Sequence, residues 1–244
     1  MILLLTGCIN PGKMAFTTLS NQDERKKQYV NAIQYYLFHT DFQIVFTENS
    51  GTDISHLFKD AIESGRMEYL TFVGNQDKER GKGYGECEII EFALNNSKYI
   101  ISSKDKRIVK ITGRLIVKNI TEIIKWHYLL FSKRTIFCAI NSELSFPDSR
   151  FIIAPISFYR CFLNFKETIN DSKDYYFEHA LCDTIKKEIN YPFSPFLLMP
   201  CIEGVSGSTG EIYSAEKYSI TFAYRYAKFA ILLRNRFYKQ YRQD

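Results

Sequence analysis

Short apolar runs alternate with amphipathic stretches through the first half of the chain. The segments 2–7 (ILLLTG), 42–51 (FQIVFTENSG) and 67–74 (MEYLTFVG) predict buried strands, because each is short, apolar and closed by polar residues or glycine. Between the first two, apolar residues such as Tyr29 and Ile33 recur at helical spacing. Strands that alternate with helices predict βαβ units and an α/β fold with a mainly parallel sheet flanked by helices.

Further elements follow the same pattern and then become less regular. We predict helices at 53–64, with Asp53 as N-cap, and at 86–97, and a strand region at 107–117. Beyond residue 120 we expect two short strands, a helix around "DYYFEHALCDTIKK" and a Pro-, Gly- and Ser-rich loop over 190–214.

Polar residues end each of the first three predicted strands: Thr6-Gly7, then Glu48 and Asn49, then Asn75. In an open parallel sheet, ligands bind outside the carboxyl ends of the strands, so these residues predict a binding edge. For Glu48 and Asn49, a simple turn is an equally good interpretation.

The composition is that of a soluble globular protein. The chain has 244 residues, enough for one large domain, and no run of 18 apolar residues that could span a membrane. Its first apolar run is too short for a signal peptide. Six widely spaced cysteines form no CxxC pair, which argues against zinc and favours free thiols in a reducing cytosol.

The segment 81–86, GKGYGE, precedes the predicted helix at 86–97. It matches neither the P-loop nor the dinucleotide-binding fingerprint. One interpretation is a flexible turn. The other is a ligand loop in which Lys82 meets a phosphate while Gly83 and Gly85 let the backbone approach the ligand.

The C-terminal segment 217–244 contains seven basic residues and one acidic residue, a net charge of +6, whereas the whole chain carries +5. Its pattern predicts a basic amphipathic helix, with Arg234 as an exception among the apolar positions. The helix either binds an anionic membrane surface or packs on its own domain with a basic outer side. No recognised nucleic-acid-binding motif accompanies it, so we do not expect a nucleic-acid partner.

Several of these segments together resemble glycosyltransferases of bacterial capsular and surface polysaccharide loci, which are GT-A-like enzymes. They are "LLLTGCINP", "RKKQYVNAIQYYL", "IVFTENSG", "KGYGECEIIEFAL" and "VKITGRLIVKN", with weaker echoes in "DSRF", "YYFEHAL" and "GVSGSTG". The resemblance implies a GT-A-like (Rossmann-like) fold, a nucleotide-sugar donor, and a glycan or polyprenyl-linked acceptor. It divides the chain into a donor half (1–120), an irregular acceptor half (121–216) and the basic helix (217–244).

One feature of that family is missing. Its Asp-x-Asp metal signature is absent, and the corresponding region reads KITGR. We therefore predict no metal ligands and no cofactor, and expect Lys82, Lys110 and Arg114 to neutralise the leaving phosphates instead. A solvated strand edge is the alternative for Lys110 and Arg114.

The expected function is transfer of a sugar from the nucleotide-sugar to the acceptor, at the inner face of the bacterial plasma membrane. For the proton of an acceptor hydroxyl, the candidate bases are Asp148, Glu178 and His179. His179 could instead be structural, and Asp148 could form a turn with Arg150. The candidate donor-binding residues are Thr6, Gly7, Glu48, Asn49, Lys82, Gly83, Gly85, Glu86, Lys110, Thr112 and Arg114. The alternative function is a non-catalytic nucleotide- or glycan-binding module.

Overall fold

A seven-stranded sheet forms the centre of the protein. The computed structural model describes residues 1–12, 18–207, 209–214 and 219–242. The strands are β1 Ile2–Gly7, β2 Gln43–Glu48, β3 Met67–Thr71, β4 Arg107–Thr112, β5 Ile116–Val117, β6 Ile136–Phe137, β7 Phe151–Pro155, β8 Phe193–Ser194, β9 Ile202–Val205 and β10 Ile212–Tyr213. The α-helices are α1 Gln22–His39, α2 Lys59–Glu63, α3 Lys82–Asn96, α4 Lys98–Ser102, α5 Ile120–Leu130, α6 Ile156–Leu163, α7 Phe177–Lys187 and α8 Ile220–Tyr241.

The central sheet has the order β3-β2-β1-β4-β7-β6-β8. β3, β2, β1 and β4 are parallel neighbours. β7 runs antiparallel to β4 and β6, while β6 and β8 are parallel. Helices pack against this sheet, with α3 in contact with β1 and β2. The predicted α/β class, a mainly parallel sheet flanked by helices, is confirmed.

The parallel register brings the carboxyl ends of three strands to one level. Thr6 of β1 lies beside Thr47 of β2 and Thr112 of β4. The segments that follow these strands therefore begin at the same edge of the sheet, as the sequence pattern predicts. Every residue of β1 is buried, which explains why its sequence is apolar throughout instead of alternating.

A second, three-stranded antiparallel sheet has the order β10-β9-β5. β5 lies shortly after β4 in the chain, whereas β9 and β10 lie within the segment predicted to be a loop. That part of the prediction is wrong, since β8, β9 and β10 all fall between residues 190 and 214. The small sheet holds the β9–β10 turn close to the ends of the central strands.

Two helices also start differently from the prediction. Asp53 accepts a hydrogen bond from the Ser55 N–H at 2.8 Å, but a 3-10 turn over Ser55–Phe58 precedes the short α2. α3 begins at Lys82 instead of Glu86, so Gly81 is its N-cap and Gly83 and Gly85 lie in its first turn.

The basic helix is partly built into the core. Ala230, Leu233 and Phe237 of α8 are buried, and the guanidinium of Arg234 lies 5.6 Å from the ring centre of Phe131. Residues 217–218 and 243–244 of the predicted helical segment lie outside the described residues. No helix in the described part of the chain is long and apolar enough to cross a membrane.

Candidate functional site

A cavity of about 740 Å³ opens at the carboxyl ends of β1 and β4. Its walls come from the residues after these strands, the first turn of α3, the start of α7, the segment before β7 and the β9–β10 turn. Of the predicted residues, eleven line it: Thr6, Gly7, Asn49, Lys82, Gly83, Gly85, Glu86, Thr112, Arg114, Asp148 and Glu178.

Two buried arginines stand on one side of the cavity. Arg25 is 6% exposed, and its Nε donates to the Cys8 carbonyl at 2.8 Å. Arg114 is 7% exposed, and its Nη1 donates to the Val205 carbonyl at 2.9 Å, while its Nε has no partner among the described residues. Neither arginine forms a salt bridge with a carboxylate in the described ranges. Within these ranges, neutral acceptors therefore hold both guanidinium groups in place.

Lys82 completes a cationic cluster with these arginines. Burial lowers the pKa of Lys82, Asp171 opposes that shift, and the charges of Arg114 and Arg25 lower it further. Gly207 of the β9–β10 turn borders both guanidiniums, because a Cβ there would collide with Arg114 Nη2 and lie 3.9 Å from Arg25 Nη1. A low-dielectric site with clustered cations favours an anionic ligand.

Side chains of the protein itself leave no room for a Cβ at the N-cap Gly81 or at Gly83 and Gly85 in the first turn of α3. The Gly83 N–H donates to Asp171 Oδ2 at 3.2 Å, and Gly81, at φ +87°, has no room for a Cβ beside Asp171. A Cβ on Gly85 would collide with Asn75 Oδ1. Burial raises the pKa of Asp171, and the helix N–H groups oppose that shift. The first turn of α3 thus holds a carboxylate of the protein, a contact absent from the sequence-based interpretation.

Glu48 and Lys110, both predicted to contact the donor, lie outside the cavity. Glu48 is fully buried, and its carboxylate accepts hydrogen bonds from the Ile9 N–H at 2.9 Å and the Thr52 N–H at 3.0 Å. It fixes the segments that follow β1 and β2. These hydrogen bonds take the place of the predicted contact between Glu48 and the donor.

Lys110 lies beneath the cavity floor, fully buried. Its Nζ pairs with Glu86 and donates to the Ser149 carbonyl at 2.7 Å. Glu86 also accepts a hydrogen bond from Thr6 Oγ1 at 2.7 Å. The expectation that Lys110 meets a phosphate is corrected, because its charge is already used to position Glu86 and Ser149.

The acidic candidates occupy different environments. Glu178 Oε1 accepts a hydrogen bond from Ser149 Oγ at 2.5 Å. Burial raises the pKa of Glu178, and Ser149 and Lys110 oppose the shift. Asp148 is held by Arg150, whose Nη2 donates to Asp148 Oδ2 at 2.6 Å. Glu178 is therefore a cavity residue that holds its proton to a higher pH than an ordinary glutamate does, because its pKa is raised. Asp148, in contrast, is paired with the guanidinium of Arg150.

His179 does not line the cavity. Its Nδ1 accepts a hydrogen bond from the Tyr176 N–H at 3.1 Å, and its ring stacks on Tyr175 and Tyr176. Adjacent residues on a helix point in different directions, so Glu178 faces the cavity and His179 does not. The structural interpretation of His179 accounts for its contacts, and the proposed catalytic role has no support from them.

Sequence reasoning missed Arg25, Cys8, Ser149 and Asp171. A signal for Arg25 existed, because it precedes Tyr29 by four residues and so shares the buried face of α1. An arginine on an otherwise apolar face indicates a buried charge that needs acceptors. Asp171 gave no comparable signal, since its partner Gly83 is 88 residues away.

The predicted absence of metal ligands stays a prediction. Among the residues that the structure describes, no group of three or more His, Cys, Asp and Glu side chains is arranged to hold a metal ion. β4 ends in Thr112, followed by Gly113 and Arg114, which offer no carboxylate oxygen. The end of β4 therefore lacks the paired carboxylates of the Asp-x-Asp signature.

Comparison with known proteins gave structural likenesses only. No protein-family model and no curated protein matches the chain. A cytidylyltransferase from Leptospira borgpetersenii serovar Hardjo-bovis is 11% identical, with 80% of this chain and 75% of that chain covered and a TM-score of 0.45. Mouse xyloside xylosyltransferase 1 is 11% identical, with 80% of this chain and 83% of that chain covered and a TM-score of 0.42. The inositol-1-phosphate CTP transferase from T. maritima is 9% identical, with 97% of this chain and 96% of that chain covered and a TM-score of 0.44. These neighbours are nucleotidyl- and glycosyltransferases, and the likeness concerns the fold.

Proposed function

We propose that the protein is a glycosyltransferase that moves a sugar from a nucleotide-sugar to a hydroxyl of a glycan or lipid-linked acceptor in bacterial surface polysaccharide synthesis. The observation that carries the proposal is the pair Arg25 and Arg114. Both are buried at the cavity and lack a carboxylate partner among the described residues. Guanidinium groups bind phosphate oxygens with charge-assisted hydrogen bonds, so a nucleoside diphosphate is the ligand class that such a pair fits.

The proposed chemistry follows from the position of the charges. As the bond between the anomeric carbon and the diphosphate breaks, the leaving diphosphate takes the electron pair, and Arg25, Arg114 and Lys82 stabilise it. In an inverting transfer, the acceptor oxygen attacks the anomeric carbon and its proton passes to Glu178. Asp148 is a weaker candidate for that step because Arg150 already holds it.

A thermal-shift panel of UDP, GDP and CMP, each with and without Mn²⁺, tests donor binding. A ligand that binds the folded state raises its stability by about 2.7 kcal/mol at one hundred times Kd. We expect one nucleotide to raise the unfolding temperature without Mn²⁺. Binding that requires Mn²⁺ would contradict the proposed role of the side-chain cations.

A matched pair of variants locates the site. Arg114→Gln is expected to weaken nucleotide binding by about tenfold or more, since it removes a charge-assisted contact of about 1.5–3 kcal/mol. Arg160→Gln changes an exposed arginine of α6 and should bind as the unaltered protein does. Equal loss in both variants would show that the cavity is not the binding site.

Release of free nucleotide from the matching nucleotide-sugar separates an enzyme from a binding module. We expect slow release by the protein alone and faster release when an acceptor is present. Tight nucleotide binding without any release would favour the non-catalytic alternative.

A further inference from the structure

Large apolar side chains are exposed near the β8 edge of the central sheet. On α5, Trp126, Leu129 and Leu130 are 49%, 69% and 56% exposed. Their spacing of three and four residues places them on one face of the helix. The opposite face of α5 is buried, where the ring of His127 lies 4.2 Å from that of Phe137 in β6. The exposed face is therefore not part of the core.

Helix α8 continues this apolar surface. Its inner side is buried, with the ring of Phe237 4.8 Å from that of Phe193 in β8. Its outer side exposes Phe229, Ile231 and Leu232, the last 61% exposed. The two helices meet where Arg234 of α8 lies over the ring of Phe131, the residue after α5. We call the exposed faces of α5 and α8, with the residues 131–134 between them and β6, the α5/α8 surface.

The charge of the α5/α8 surface is predominantly positive, with the exposed Glu122 in the first turn of α5 as an acidic exception. No Asp or Glu occurs between residues 123 and 142 or between residues 217 and 243. A net positive charge among exposed aromatic and aliphatic residues is the pattern of protein segments that lie in the headgroup region of anionic bilayers. The exposed basic residues of the surface are Lys125, Lys133, Arg134, Arg225, Lys228, Arg236 and Lys239.

We propose that the α5/α8 surface docks on an anionic lipid bilayer. Trp126, Leu129 and Leu130 enter the interfacial layer, and the basic residues contact lipid phosphates. A polynucleotide would satisfy the charge but would leave the leucines in water, so the apolar residues favour lipid. Neither helix spans the bilayer. The surface lies outside the cavity, and the proposal does not depend on the proposed reaction.

Trp126 makes the proposal directly measurable, because it is the single tryptophan of the chain. Phosphatidylcholine vesicles that contain about one-third phosphatidylglycerol should shift its fluorescence to shorter wavelength and sediment the protein, while pure phosphatidylcholine vesicles should do neither. An unchanged spectrum with anionic vesicles would overturn the proposal. Equal binding to both vesicle types would overturn the role of the charge.

Paired variants test the apolar and the charged contacts separately. Leu129→Ser/Leu130→Ser should weaken vesicle binding by about tenfold or more, whereas the exposed Phe38→Ser should not change it. Arg225→Gln/Lys228→Gln should weaken binding by about thirtyfold, which corresponds to about 1 kcal/mol per charge. Lys59→Gln/Lys98→Gln removes two exposed charges elsewhere and is the matched control.

The surface would belong to another partner if the leucine variant bound vesicles with wild-type affinity. The same conclusion would follow if the protein bound a polynucleotide without a change in Trp126 emission.

Discussion

Glu178 is the residue whose charge state should govern the pH dependence of the proposed reaction. Burial raises its pKa, so the carboxylate that accepts the proton is lost at a higher pH than for an ordinary glutamate. We expect activity to fall as pH drops through this raised pKa. Glu178→Gln should lower kcat by about 10²–10⁴-fold and remove that acidic limb of the pH profile.

The same pKa shift has the opposite effect on stability. A raised pKa in the folded state means that the contribution of Glu178 to stability is full below its unfolded-state pKa and is lost as pH rises through the folded-state pKa. At neutral pH, Glu178→Gln should therefore unfold at the same or a higher temperature than the unaltered protein. The exposed Glu63→Gln is the control, and wild-type kcat in the Glu178 variant would exclude it as the base.

Gly207 offers a way to disturb the cationic cluster without removing a charge. Its φ lies outside the left-handed region, so alanine suits its backbone, but the new Cβ would collide with the guanidinium of Arg114. Gly207→Ala should weaken nucleotide binding by about tenfold, or about 1.4 kcal/mol, in titration calorimetry. Ser214→Ala changes an exposed residue nearby and should bind normally. Unchanged affinity in Gly207→Ala would show that Arg114 is not at the ligand.

The sequence predicted which residues lie at the site better than it predicted what those residues contact. The polar ends of β1, β2 and β4 do meet at one edge, because the register of parallel strands follows from their apolar cores. Lys110 was placed wrongly for a physical reason: a lysine in a strand buried on both faces needs a partner, and Glu86 is not visible as that partner in the sequence. Arg25 was overlooked among neighbouring surface lysines.

At the scale of elements, α8 is divided between core and surface. Phe237 is fully buried, so Phe237→Ala should reduce the free energy of unfolding by about 3–5 kcal/mol in urea titrations. Leu232→Ala removes a largely exposed side chain five residues earlier and should change it by less than about 0.5 kcal/mol. Equal effects would contradict the described orientation of the helix.

The four parallel strands followed their sequence pattern, whereas the helix α5 and the short strands β8 and β10 were not predicted. β1, β2, β3 and β4 have five or six residues each, and the apolar runs identified all of them. β8 and β10 have two residues each, too few for any periodicity to show. Their pairing depends on partners distant in the chain, which explains why a Pro- and Gly-rich segment was predicted to be a loop.

At the scale of the whole molecule, the α5/α8 surface and the cavity are neighbours. Arg236 of α8 donates to the Ser142 carbonyl at 3.1 Å, and the adjacent Asn141 lines the cavity. A protein docked through α8 would therefore hold this rim of the cavity near the bilayer, where a lipid-linked acceptor is concentrated. Donor binding takes place at the strand ends and should not depend on the membrane.

This arrangement predicts a selective effect of vesicles on the proposed activity. Anionic vesicles should raise the rate of transfer to a lipid-linked acceptor by about tenfold or more, through effective concentration, and leave nucleotide release without acceptor unchanged. Leu129→Ser/Leu130→Ser should lose the acceleration but keep the release. An equal acceleration of both reactions would mean that the bilayer acts on the cavity itself, because effective concentration can act only on the substrate that the membrane carries.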